Sequence, residues 1–319
     1  LQIENSVQSY GAHTGLRSAT IYGGVGKGPQ RTALRNGIDI VVATPGRLLD
    51  FMGEGVLDLS WIDILVLDEA DRMLDMGFVR DVRKIVAAVP EQRQTLLFSA
   101  TMPKEIQELA RTVLYKPEMV EVGQRRDPAA TVAQQAVRVA EKDKQHLLNH
   151  LLENEPIEKA IVFTRTKHRA DRVRKKLDQA GFDAIAIHSN RSQGQRQRAL
   201  KGFEDGDYRI LVATDIAARG IDIDGVSHVV NFDAPNIPED YIHRIGRTGR
   251  AEATGDAITF VSAAETDHLR AIEKHTGSAL TRETYGSFAK GAEAEPLPDP
   301  KAKKGNSRGG GGRGNTPRG

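Results

Sequence analysis

An α/β fold with two parallel-sheet domains is predicted by three observations. Short apolar runs rich in β-branched residues alternate with helical patterns throughout. Polar residues cluster directly after many of those runs, where open parallel sheets place their ligands. A polar, Pro-containing stretch over 123–130 divides the runs into two sets, as an interdomain linker does.

In the first half the strand-like runs are 19–22, 38–43, 62–67, 95–98 and 119–122. In the second they are 136–140, 160–163, 184–187, 210–213, 228–232 and 257–261. This gives a first domain over 1–123, a linker over 124–131, a second domain over 132–276, and a tail over 277–319. The chain opens on Leu1, and Leu1, Ile3, Val7 and Tyr10 carry the spacing of a helix already under way with no N-cap before it. It therefore reads as a fragment starting inside an element, with an incomplete first domain. A signal peptide would need a basic flank and a continuous apolar core.

The 319 residues suffice for two cores, and 39% hydrophobic with 28% charged residues is ordinary for a globular protein. No window reaches the ~18 apolar residues of a membrane helix. The absence of cysteine excludes disulfides and thiolate metal sites and fits a reducing, cytoplasmic setting. A net charge of +2 makes no global case for nucleic acid, so such a case must come from local placement. The last stretch, 301–319, has six basic residues, no acid and no bulky apolar side chain. It is expected to be disordered, and it reads either as a solubilising tail or, the favoured alternative, as a nonspecific nucleic-acid arm.

The most informative motif is Asp68-Glu69-Ala70-Asp71, which ends the apolar run Ile64-Leu65-Val66-Leu67. Acids delivered to the end of a buried strand can hold Mg²⁺ on a nucleoside triphosphate and orient the attacking water. Acids at a helix N-terminus also simply complement its dipole. Thr44-Pro45-Gly46-Arg47 reads as an N-cap, a first-turn proline and a fork-shaped cation at a helix start, a phosphate-binding arrangement. Gly23-Gly24 permits close approach of backbone to a ligand, although paired glycines alone more often mark a turn. Gly26-Lys27 is not a phosphate-binding P-loop, because Ile21 stands where the first glycine is required and Gly28 where Ser or Thr must follow the lysine.

Ser99 and Thr101 place hydroxyls beyond a strand, where they either reach a carboxylate such as Asp68 or Asp71 or, equally, form an ordinary helix cap. Ser192 and Gln195 have capping-box spacing, with Arg196 and Arg198 in the first helical turn. Those cations oppose the helix dipole, so an anionic partner nearby would compensate them, although a solvated surface is the simpler explanation. Thr214 and Asp215 follow another strand. The segment from His243 to Arg250 alternates arginine with glycine, as mobile arginine fingers for phosphoryl transfer require, although cations at a helix C-terminus also complement the dipole.

In order, spacing and strand context, this set resembles the DEAD-box RNA helicases across roughly residues 1–276. The stretches 162–168 and 188–200 look closest to the bacterial RhlE-like branch. The resemblance implies two RecA-like domains, the helicase core of the P-loop NTPases, with ATP and RNA bound across their cleft. It implies that Asp68 holds Mg²⁺ through water, Glu69 positions the attacking water, and Arg247 and Arg250 are arginine fingers. Asp71, Ser99, Thr101 and His243 would couple the nucleotide site to RNA. Gly220 and Asp222 would hold the nucleotide. Gly23, Gly24, Thr44, Pro45, Gly46, Arg47, Arg196 and Thr214 would grip the RNA backbone with little sequence preference.

One departure stands out: the family's adenine-reading segment and P-loop do not occur in these residues. The implied activity, ATP-dependent local unwinding of RNA duplexes, is therefore expected of a longer protein. The 319 residues alone are expected to be inactive, and a non-catalytic RNA clamp is the rival reading. A monomer acting with ribosome-assembly or RNA-decay proteins, away from membranes, completes the expectation.

Overall fold

The computed structural model describes residues 2–121, 132–218, 223, 225–249 and 255–289. The chain divides into two compact units between Val122 and Gly123. Among the described residues no helix is long and apolar enough to cross a membrane.

The first unit runs α1 (Gln2–Tyr10), β1 (Ser18–Ile21), α2 (Lys27–Arg35), β2 (Ile40–Ala43), α3 (Pro45–Gly53), β3 (Ile64–Leu67), α4 (Ala70–Asp75), α5 (Val79–Ala88), β4 (Gln94–Leu97) and α6 (Lys104–Val113). β1 pairs in parallel with β2, and β3 with β4, in register Leu67 opposite Leu97. Ile21, Leu34 and Phe51 form one core, and Leu67, Ala70, Val82, Ile106 and Leu109 another. The apolar spacing does give a helix in α1, yet none of its residues is buried. Ile3, Val7 and Tyr10 instead face Ile40 across an open cavity of about 530 Å³.

The strand expected over 119–122 does not form in residues 119–121, and Val122 lies outside the described residues. Met119 and Val120 are 84% and 80% exposed. With no ladder partner to satisfy its backbone, an apolar pair alone does not make a strand.

The second unit runs β5 (Val132–Arg138), α7 (Lys144–Asn154), β6 (Ala160–Phe163), α8 (Lys167–Gln179), β7 (Ala184–Ile187), α9 (Gln193–Asp205), β8 (Ile210–Ala213), α10 (Asp215–Ala218), β9 (His228–Asn231), α11 (Pro238–Ile245), β10 (Gly255–Val261), α12 (Thr266–Thr276), β11 (Thr281–Glu283) and α13 (Gly286–Ala289). Its strands form one sheet in the order β11-β5-β10-β9-β6-β8-β7, parallel at every pairing. β6, β8 and β9 are buried along their whole length, as strands covered on both faces must be, which explains the continuous apolar runs of β6 and β8. The predicted capping box forms: Ser192 accepts from the Gln195 N–H, and the Gln195 side chain accepts from the Ser192 N–H.

The fold continues past 276. β11 adds an edge strand against β5, and Tyr285 and Phe288 pack on the main core cluster beside His150. The expectation of a disordered tail beginning at 277 is thus corrected over 277–289. The edge strand Thr281-Arg282-Glu283 has no apolar alternation to reveal it. Backbone pairing and the Arg282–Glu273 ion pair at 2.6 Å hold it in place. The tail over 290–319 and the linker lie outside the described residues.

Candidate functional site

In the first unit the site is built at the carboxyl ends of β3 and β4. The Leu67 carbonyl accepts from the Phe98 N–H at 2.8 Å, and the Phe98 carbonyl accepts from the Ala70 N–H at 3.0 Å, which stitches the two strand ends together. Between these bonds the chain turns sharply at Glu69, whose φ of 51° and ψ of 51° are left-handed. A side chain in that region costs roughly 1–2 kcal/mol. The Glu69 N–H donates to Asp68 Oδ1 at 2.8 Å, and the Glu69 carbonyl accepts from Met73 at 3.0 Å, which holds the turn. The outcome is that Asp68 and Glu69 stand exposed while Ala70 and Asp71 are buried. Arg72 donates to Glu69 Oε2 at 2.5 Å.

Asp71 meets the second strand end. Its Oδ2 accepts from both the N–H and the hydroxyl of Thr101, at 2.9 and 3.0 Å. Its own N–H donates to Ser99 Oγ at 3.1 Å, and Ser99 in turn donates to the Thr101 carbonyl at 2.7 Å. The structure therefore brings Asp71, Ser99 and Thr101 into one network, and Asp71 is the carboxylate the hydroxyls reach.

The glycine and arginine motifs meet in the same way beyond β1 and β2. Arg47 is only 9% exposed, lies over the Phe51 ring and donates to the Val25 carbonyl at 3.1 Å, tying the start of α3 to the loop that carries Gly23 and Gly24. Its other terminal nitrogen, Nη1, is buried without a hydrogen bond. Thr44 occupies the N-cap position with extended backbone, and Pro45 opens α3, but the Thr44 hydroxyl does not cap. First-turn N–H groups of α3 thus remain for another acceptor. Gly23, Gly24 and Gly46 are exposed. Lys27 is drawn to Glu54 at 2.7 Å and Asp50 at 3.1 Å, whose hydrogen bonds hold its ammonium above the ordinary pKa. This lysine is committed to structure, in line with its exclusion from a P-loop.

In the second unit the loops after β6, β7, β8 and β9 leave one edge, because the strands are all parallel. Arg196, in the first turn of α9, donates to Gln193 Oε1 at 3.3 Å and toward the Ala217 carbonyl at 3.4 Å. Thr214 precedes α10, and its carbonyl accepts from Ala217 and Ala218. His243 lies in α11, and its carbonyl accepts from Arg247 Nε at 3.1 Å. Gly220, Asp222 and Arg250 lie outside the described residues.

Residues 1–109 match the DEAD/DEAH box helicase family, and residues 143–252 match the helicase conserved C-terminal domain. The chain is 44% identical over 282 residues to the DEAD-box ATP-dependent RNA helicase CshA of Bacillus licheniformis, covering 88% of this chain and 58% of that protein. It is 46% identical over 282 residues to the ATP-dependent RNA helicase DeaD of Mycobacterium tuberculosis, covering 88% of this chain and 50% of that protein. Among solved structures, S. cerevisiae Dbp5 bound to RNA and ADP BeF3 superposes with a TM-score of 0.80 at 31% identity, covering 91% of this chain and 75% of that one. The chain belongs to the DEAD-box helicase family. Its two domains are RecA-like, as that likeness shows. It spans about half the length of the curated relatives it matches.

Sequence reading of this DEAD-box chain missed a further group. Arg244, 2% exposed, forms a two-pronged ion pair with Asp215, Nε to Oδ1 at 2.5 Å and Nη2 to Oδ2 at 2.8 Å. Its remaining nitrogen donates to Asn231 Oδ1 at 3.1 Å and to the Asp233 carbonyl at 2.7 Å, and the guanidinium lies over Phe163. This one side chain ties α11 to the ends of β6, β8 and β9. The only sequence signal was complementarity, an acid opening one short helix and a cation ending another.

Proposed function

We propose that the chain is part of an ATP-dependent RNA helicase that grips RNA by its backbone and separates short duplexes as it hydrolyses ATP. The observation that carries this reading is the strained turn at Glu69. It exposes two acids at the end of β3 while fastening the third, Asp71, to Ser99 and Thr101. Backbone strain of this kind persists where the surroundings over-determine it, and it clusters at functional sites.

Asp68 is the residue that would hold Mg²⁺ on the nucleotide. Among the described residues no group of three or more acids or histidines could cage a metal. A single exposed carboxylate fits Mg²⁺ bound mainly through water and phosphate. Bound there, the ion would neutralise phosphate charge. Glu69 orients and deprotonates the attacking water, which requires it to leave Arg72. Arg247 and Arg250 stabilise charge on the transferring phosphoryl group, and Gly220 and Asp222 hold the nucleotide. Asp71, Ser99, Thr101 and His243 couple that chemistry to RNA. Gly23, Gly24, Thr44, Pro45, Gly46, Arg47, Arg196 and Thr214 contact the RNA backbone, with the uncapped start of α3 as one donor set.

The finer parts of the proposal rest on sequence. Residues 1–123 belong to the ATP-binding domain and 132–276 to the second domain. The stretches 162–168 and 188–200 favour the RhlE-like branch, and the protein acts as a cytoplasmic monomer with ribosome-assembly or RNA-decay partners. A second reading, an RNA clamp without catalysis, is favoured for residues 1–319 taken alone, because no P-loop occurs in them. Both are tested by measuring RNA-stimulated ATP hydrolysis and duplex separation with residues 1–319 and with a longer protein that includes the phosphate-binding segment. Activity is expected only in the longer protein. Inactivity of both would overturn the helicase reading, and RNA-dependent hydrolysis by residues 1–319 would demand another phosphate-binding element.

A further inference from the structure

Helix α8 segregates its charges. Its 13 residues carry six Lys or Arg and two Asp, and both acids are engaged on one flank. Asp171 accepts from Arg191 at 2.7 Å and pairs with His188 at 3.0 Å, and Asp178 pairs with Arg174 at 2.5 Å. Ala170, Val173 and Leu177 form the buried face. Opposite that face, His168, Arg172, Lys175, Lys176 and Gln179 are all exposed. Arg172 lies four residues after His168, and Lys175 and Lys176 lie three and four residues after Arg172, about 6 Å along the axis for a four-residue step.

The row contains no acid. Among the described residues Arg172, Lys175 and Lys176 form no ion pair. Arg172 lies three residues before Lys175 and four before Lys176, a spacing at which like charges weaken a helix. Asp171 and Asp178 do lie four residues before and three after Lys175, but their carboxylates are taken by Arg191, His188 and Arg174 instead. Its amino end also adjoins the loop that leads to Arg196, since Lys167 donates to Asn190 Oδ1 at 2.9 Å.

We propose that the outer row of α8, Arg172, Lys175 and Lys176, is a second RNA-backbone contact, extending the path of a strand gripped near Arg196 down the outside of the second domain. This inference rests on the RNA-binding reading above. Three unpaired cations in a row, with neither aromatic nor apolar side chains among them, fit a repeating phosphate chain and read no bases. An acidic protein surface offers no such periodicity and is the alternative outcome of the test.

The experiment titrates residues 1–319 into a fluorescein-labelled uridine homopolymer at several salt concentrations. It compares the unsubstituted chain with Arg172→Gln/Lys175→Gln/Lys176→Gln and with the charge-preserving Arg172→Lys/Lys175→Arg/Lys176→Arg. Gln retains helix propensity, and thermal unfolding reports the integrity of each variant. The Gln variant is expected to bind on the order of tenfold more weakly at low salt. Its slope of log affinity against log salt should be shallower by about 2, at about 0.7 per phosphate. The charge-preserving variant should keep the original slope. Superimposable slopes for the Gln variant and the unsubstituted chain would overturn the inference, as would loss of binding to polyglutamate with RNA binding unchanged. Failure of the unsubstituted chain to bind the RNA would instead remove the RNA-binding reading itself.

Discussion

Arg244 and Asp215 form a fork-to-fork ion pair, the arginine buried and the carboxylate partly exposed, that joins the last turn of α11 to the first residue of α10. In the proposed function α10 follows the RNA-contacting Thr214 and α11 carries His243 and leads to Arg247, so the pair positions arms that act elsewhere. Arg244 itself, 2% exposed, is a positioning residue.

Arg244→Ala should destabilise the second domain by on the order of 3–5 kcal/mol, because it leaves Asp215 and Asn231 without their partner. Arg244→Lys should cost almost as much, since an ammonium cannot reproduce the two-pronged contact. Denaturant unfolding of Arg244→Ala, Asp215→Ala and the double variant checks this. The double variant should lose clearly less than the sum of the singles. Strictly additive losses would show that the contact contributes nothing of its own.

Glu69→Gln should leave ATP binding in place and collapse turnover in the longer protein, because the amide keeps the shape and loses the base. Arg247→Ala should also depress turnover, since an arginine finger is worth on the order of 10³–10⁵ in rate. Single-turnover phosphate release with a parallel nucleotide-binding titration separates the two effects. Near-normal hydrolysis in Glu69→Gln would reassign the water-activating role.

Thr101→Val removes the hydroxyl that Asp71 Oδ2 accepts and keeps the Thr101 N–H contact. The lost bond should cost about 1–2 kcal/mol. Duplex separation should fall more than ATP hydrolysis, because the network links the acids at the end of β3 to the segment after β4. Measuring strands separated per ATP consumed tests this, and equal losses in both rates would reduce Thr101 to a structural role.

The strands that lie deepest were the most legible. The runs at 160–163, 184–187 and 210–213 coincide with β6, β7 and β8, because burial on both faces leaves an unbroken apolar signature. The meeting of Asp71 with Ser99 and Thr101 was also foreseeable, since adjacent parallel strands deliver their following residues to one edge. The bond between Arg244 and Asp215 was not, because 29 residues separate the partners and nothing local couples them. β11 escaped for a different reason: an edge strand held by backbone pairing and one ion pair need not alternate in hydropathy. Over 119–121 the error ran the other way, with apolar residues present and no ladder to join.

A buried charge cluster supplies a prediction about acid stability. Lys144 is fully buried, its ammonium 2.6 Å from Glu265, 3.2 Å from Glu141 and 3.5 Å from Asp233. Burial pushes the Glu265 carboxyl upward. The charge and hydrogen bond of Lys144, with the N–H and hydroxyl of Ser262, outweigh it and hold the carboxyl below its ordinary value of 4.5. A carboxylate whose pKa is lower in the folded state binds protons more readily when unfolded. Its stabilisation is therefore fully present above pH 4.5 and is lost as the pH falls through the lower folded value. Glu265→Gln should cost up to about 3 kcal/mol near neutrality, the low end for breaking a buried pair, because Glu141 and Asp233 still face Lys144. Below pH 4.5 the gap between the variant and the parent should narrow, because the parent loses the same interaction by protonation. Unfolding midpoints measured between neutrality and mild acid decide it, and a pH-independent gap would show that Glu265 stabilises the fold without its charge.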